Sequence, residues 1–202
     1  MQKKLIISSK LIVLIISILI FSKVMAYEEP KYTIINQNEV YEIRHYKERL
    51  AVQVTYSYDG NGFRKLFNYI SGSNTQSKKV KMTTPVTEST KIAMTIPVTQ
   101  TEENNERIMQ FYLPSNFTID TAPIPKDPNV ELVTMPEGYF AVIKYSGRST
   151  DKRFIKYKEI LKEKLIKDEI EIKSIAIKAT YNGPFTLPIF RRNEAMFKII
   201  WK

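Results

Sequence analysis

A single histidine, His45, and no cysteine anywhere in 202 residues limit the chemistry open to this chain. One imidazole without thiolates excludes the usual multi-ligand zinc sites, a cysteine nucleophile and disulfides. A Ser-His-Asp relay would have to use His45, yet no GxSxG elbow accompanies it, and there is no P-loop or GxGxxG fingerprint. The segment with the most chemical character is YNGPFTLPIFRRNE, Tyr181 to Glu194. It is an apolar loop ending in two adjacent guanidinium groups, Arg191 and Arg192, planar forks suited to carboxylates. Phe185, Leu187 and Phe190 stand among its prolines, where no regular element demands them. Apolar walls beside cations are equipment for binding, and the sequence predicts no enzyme.

The elements that must position these residues are written twice, about ninety residues apart. VYEIRHYKERLAVQVTYS, from Val40, and VELVTMPEGYFAVIKYS, from Val130, align Val40 with Val130, Ile43 with Val133, Leu50 with Phe140 and Ala51-Val52 with Ala141-Val142. Tyr56-Ser57 meets Tyr145-Ser146 after a one-residue slip. In the first copy, alternation of Leu50, Val52, Val54 and Tyr56 with polar neighbours predicts a half-buried strand. Phe63, Leu66, Phe67 and Ile70 then recur at helical spacing, with Gly72 placed to end the helix. MTTPV (Met82 to Val86), MTIPV (Met94 to Val98) and a strand at Arg107 to Leu113 follow, and each proline argues against a central strand position. The proline-punctuated stretch Pro114 to Pro128 is the joint between halves.

The second copy repeats the plan. Strands at Val130 to Thr134 and Tyr139 to Tyr145 lead through the N-cap cluster Ser149-Thr150-Asp151 into a helix ending near Lys167, with Phe154, Tyr157, Leu161 and Leu165 on its buried face. Strands at Ser174 to Tyr181 and Ala195 to Trp201 close the chain. The expected fold is α+β, with two pseudo-symmetric repeats forming a distorted antiparallel β-barrel flanked by two helices and sharing a cleft.

Residues 1–26 read separately. Lys3, Lys4 and Lys10 precede the apolar run Leu11 to Phe21, and Val24-Met25-Ala26 supplies small residues for cleavage, which describes a secretory signal. The alternative is an uncleaved N-terminal membrane anchor. Lys10 and Lys23 hold the uncharged run below the roughly 18 to 20 residues a spanning helix needs. The domain is therefore expected over 27–202, exported to a periplasmic or extracellular space and monomeric. Four lysines before residue 27 contribute to the formal charge of +10. The remaining cations are scattered without a nucleic-acid-binding motif, so no nucleic acid partner is expected. Membrane association is expected only through an uncleaved N-terminus.

YEIRHY (Tyr41 to Tyr46), KVKMTTPV (Lys79 to Val86) and YNGPFTLPIFRRNEA (Tyr181 to Ala195), in that order along nearly the whole domain, resemble the SOUL haem-binding proteins, which are similar in fold to GyrI-like effector-binding domains. The resemblance implies a non-covalent tetrapyrrole binder. Its ligand would lie beside the first helix and the loop before the last strand, with Phe63, Phe67, Ile70, Phe185, Leu187 and Phe190 as walls. Arg191 and Arg192, with Arg64 and Lys65 on the helix, would meet the propionates. His45 occupies the motif in which one branch of the family carries its proposed axial iron ligand. Asn68 stands where some haem-binding members have a basic residue. The alternatives are binding of other small amphipathic molecules by the same cleft, or a non-enzymatic interaction scaffold.

Overall fold

The computed structural model describes residues 27–57, 60–75, 89–103 and 106–202. The predicted signal and the KVKMTTPV run lie outside the described residues. Among the described residues, eleven strands and two helices follow in the order β1 (Tyr32–Gln37), β2 (Glu42–Tyr46), β3 (Arg49–Tyr56), α1 (Gly62–Ile70), β4 (Asn74–Thr75), β5 (Val98–Glu103), β6 (Glu106–Tyr112), β7 (Ile124–Pro125), β8 (Val130–Met135), β9 (Gly138–Tyr145), α2 (Asp151–Lys167), β10 (Ile177–Thr180) and β11 (Asn193–Ile199).

Nine strands form one antiparallel sheet in the order β1-β2-β9-β11-β10-β5-β6-β3-β8, curled into a half-barrel. Without β1 this order is a palindrome: exchanging the strands of the two copies reverses it and leaves every neighbour intact. The pseudo-twofold passes between β5 and β10, where Thr99 faces Ala179. The repeat register read from the sequence is also the register of the fold. Ala51 pairs with Val133 as its counterpart Ala141 pairs with Ile43. Each half therefore gives its first strand to the other half's sheet.

The helices cover one half each. In α2, Leu161 and Leu165 are fully buried against Ile43, Ala141, Ala195 and Phe197, with Phe154 and Tyr157 half-buried beside them. Its N-cap is Thr150, whose Oγ1 accepts from the Arg153 N–H. The α1 face differs from expectation. Leu66, Tyr69 and Ile70 are buried against Val52, Val54, Met109 and Phe111, while Phe63 and Phe67 are 45% and 46% exposed. The buried stripe is one position round from the expected one because Tyr69 fits inside, its hydroxyl donating to the Pro123 carbonyl at 2.8 Å. As expected, α1 ends at Gly72, whose φ of +117° suits glycine.

On the other, concave face of the sheet, Tyr46, Phe140, Val142, Ala179, Tyr181 and Met196 form a third cluster. The strand β1, which the sequence reading missed, pairs along β2 and bulges between Ile34 and Asn36.

Candidate functional site

The concave face holds charge as well as rings. Alternation along β2 sends Tyr41 and Ile43 toward α2 and Glu42, Arg44 and Tyr46 inward. Arg44 is fully buried, and its guanidinium donates to both Glu194 oxygens at 2.9 and 3.0 Å, to Glu42 at 2.8 Å and to the Tyr46 hydroxyl at 3.2 Å. Glu194 also accepts from the Tyr181 hydroxyl at 2.7 Å and from Arg192 Nε at 2.9 Å. Arg192 reaches Glu29 and lies 3.7 Å over the Tyr181 ring.

Burial works against the charge on Arg44, but the bonds to Glu194 and its negative charge prevail and push the guanidinium further up. Burial pushes the Tyr46 phenol up to about 12, and burial followed by the Glu194 charge raises Tyr181 more. Glu42 is held below the ordinary carboxylate range: desolvation opposes this, and hydrogen bonds from Lys144 and Arg44 overcome it. Each acid here accepts from cationic donors on neighbouring segments, so the network fastens β2, β11 and the segment before β1 to one another.

Inside the network the enclosed space is only about 10 Å³, walled by Tyr32, Tyr46, Arg49, Tyr112, Tyr181 and Met196. The expected cleft between halves is therefore filled at its centre by the protein's own side chains. It opens outward into a groove of about 210 Å³ between the segment 28–31, the β2–β3 turn and Leu113 to Phe117. A shallower groove of about 720 Å³ runs along α2, floored by Phe154, Ile155, Ile172 and Phe197 and rimmed by Lys158 and Lys162.

The residues singled out from the sequence fall into three places. On α1, Phe63 and Phe67 stack nearly parallel with centroids 6.0 Å apart, Phe63 meets Phe111 edge-on, and Arg64 is exposed. In the loop, Phe185 is 99% and Phe190 69% exposed, with Leu187 and Ile189 also outward. Arg191 turns back on that loop, donating to the carbonyls of Thr186 and Pro184. The Gly147 N–H holds the Pro188 carbonyl at 2.8 Å, and Asn182 accepts from the Arg192 N–H, so the loop is pinned from within. His45 lies in β2, its Nε2 2.9 Å from Glu137 Oε1 and its ring 4.8 Å from Tyr139. Among the described residues no ring contact or hydrogen bond joins the loop to α1, or His45 to either.

Sequence reasoning missed Glu29, Glu42, Arg44 and Arg49; Glu194 it paired with the two loop arginines, and the Arg192–Glu194 bridge is present. Charged residues alternating with Tyr41 and Ile43 read as a solvated strand face, and no periodicity separates that from a polar interior. Among the described residues no group of three or more His, Asp or Glu could hold a metal ion, and no helix is long and apolar enough to cross a membrane.

The fold is that of the GyrI-like proteins. The EcmrR C-terminal domain superposes with a TM-score of 0.55 at 11% identity, over 85% of this chain and 99% of that one. An uncharacterized conserved protein from Listeria innocua gives 0.55 at 10% identity, over 80% and 92%. A protein from Listeria innocua described as a hydrolase gives 0.53 at 11%, over 82% and 94%. No curated protein matches the chain. The model of the SOUL heme-binding protein family matches residues 27–198, from the N-terminal strap across both repeats into the last strand, and the chain belongs to that family.

Proposed function

We propose that this chain is a non-enzymatic, non-covalent tetrapyrrole binder that works outside the cytoplasm as a haem scavenger or buffer. Export rests on the charged, apolar and small-residue order of residues 1–26. Binding rests on family membership and on one observation: a loop held rigid by Arg191 displays Phe185, Leu187, Ile189 and Phe190 to water. With the stacked Phe63 and Phe67 on α1, these are apolar surfaces that the core does not use, the mark of a recognition surface.

The residues fit the flat apolar faces of haem better than its iron. Phe63, Phe67, Phe185 and Phe190 would hold the macrocycle, and the exposed Arg64 would meet a propionate. Arg191 would support the loop through the Thr186 and Pro184 carbonyls, and Arg192 through Glu194 and Glu29. Haem would supply redox-active iron, for which His45 is the candidate ligand only if its Nε2 leaves Glu137.

Titration of the full chain with hemin and with metal-free protoporphyrin tests this. Saturable binding of both, weakened about tenfold or more in Phe185→Ser/Phe190→Ser, is the expected result. A Soret shift lost in His45→Ala would assign the iron to His45. The groove along α2 is the second location, favoured by its volume, and Ile155→Asp would then be the damaging variant. No saturable binding of either compound would leave the barrel as an interaction scaffold.

A further inference from the structure

We infer that the 210 Å³ groove beside the β2–β3 turn is a binding site for a small amphipathic anion, a carboxylate with a short apolar tail, anchored by Arg49. This goes beyond the tetrapyrrole reading and does not depend on it. The groove is far from haem-sized, and none of the aromatic residues assigned to the tetrapyrrole lines it.

Arg49 lines both the groove and the small cavity beneath it. Its guanidinium carbon lies 4.2 Å from the Tyr46 ring centroid, 5.0 Å from Tyr112 and 5.4 Å from Phe140. Stacking satisfies the faces of a guanidinium and leaves its edge donors unused. Nε is buried with no acceptor, and no carboxylate among the described residues pairs with it. Arg44 and Arg192, by contrast, each hold carboxylates. A charged donor set aside in this way favours an acceptor brought by a ligand.

The rim has the matching sign. Of its three carboxylates, Glu29 is held by Arg192, so Lys31, Lys47 and Arg49 outnumber Glu48 and Glu28, which also accepts the Ser115 N–H at 2.9 Å. Leu50, Leu113 and Phe117 provide an apolar wall for a tail. An organic cation would meet three positive side chains and an aromatic cage already filled by Arg49.

Calorimetric titration with octanoate, octanol and octyltrimethylammonium separates charge from tail. Octanoate is expected to bind saturably, with octanol about tenfold weaker or worse and the ammonium compound not detected. Arg49→Gln should bring octanoate down to the octanol level, and Arg49→Lys should fall between. Equal affinity for the three compounds, or octanoate affinity unchanged in Arg49→Gln, overturns the proposal. Should Arg49→Gln fail to fold, Ser115→Trp decides: it fills the groove from an exposed rim position and should abolish octanoate binding while leaving hemin binding intact, and unchanged octanoate affinity would refute the site.

Discussion

Arg44 grips Glu194 through two parallel hydrogen bonds across a separation of 150 residues, both side chains fully shielded from water. The pair joins β2, from the first repeat, to β11, from the second. Removing Arg44 takes the cation from a buried carboxylate, so Arg44→Ala should cost about 3–5 kcal/mol. Replacing both partners with methionine should cost less than the sum of the two single losses, although Tyr181, Arg192 and Glu42 each lose a contact with the pair. Urea unfolding of the two single variants and the double variant measures this. A single-variant loss below about 1 kcal/mol would mean that water reaches the pair.

The two kinds of apolar residue on α1 should separate in stability measurements. Leu66→Ala removes a fully buried side chain and is expected to cost about 2–5 kcal/mol. Phe67→Ala, half in water already, should cost roughly 1–2 kcal/mol and show itself instead in weaker hemin binding. Thermal melts and titrations on the same two proteins test the split.

Gly147 is the loop's anchor at the end of β9. Its φ of +103° suits glycine, and an added Cβ would come within 2.7 Å of the Arg153 guanidinium carbon. That flexible side chain can move, but the backbone conformation cannot relax while the Gly147 N–H holds Pro188. Gly147→Ala should lose about 1–2 kcal/mol and speed hydrogen exchange at the amides of Phe190 and Arg191.

Acid and alkali should act on different groups. Glu42 and Asp151 titrate below their ordinary range in the fold, Glu42 through Lys144 and Arg44 against its burial, Asp151 first through Lys178. Their contribution is present above the unfolded values of about 4.3 and 3.9 and is lost as pH falls through the depressed folded ones. Tyr46 and Tyr145 are pushed up to about 12, chiefly by burial. The unfolded chain releases these protons near pH 10, so stability is intact below that and falls as pH rises toward 12. Unfolding free energies measured across both ranges, with phenolate absorbance on the alkaline side, check the signs.

Much of the architecture was legible because duplication fixes register. The alignment of Ile43 with Val133 and of Ala51 with Ala141 predicted which residues face each other in two separate strand pairs. The α1 face was misjudged because five apolar or aromatic residues crowd nine positions, and spacing alone does not say that Tyr69 goes inside while Phe63 and Phe67 stay out. The buried charges were illegible for a different reason: Arg44 tolerates full burial because Glu194, at the far end of the chain, reaches it alongside Glu42. Arg191 and Arg192 were recognised as forks and Glu194 as a salt-bridge partner, but sequence could not show that the loop's own carbonyls would hold Arg191 or that Glu29 would reach Arg192.

The exchange of first strands between repeats has a consequence during synthesis. A nascent chain that has emerged only as far as Pro128 carries β3 with one flank still waiting for β8, and β2 without β9. Either half taken alone would keep such edges bare, and a ribosome stalled in the proline-rich joint would display three unfinished β edges, on β2, β3 and β5, to its surroundings.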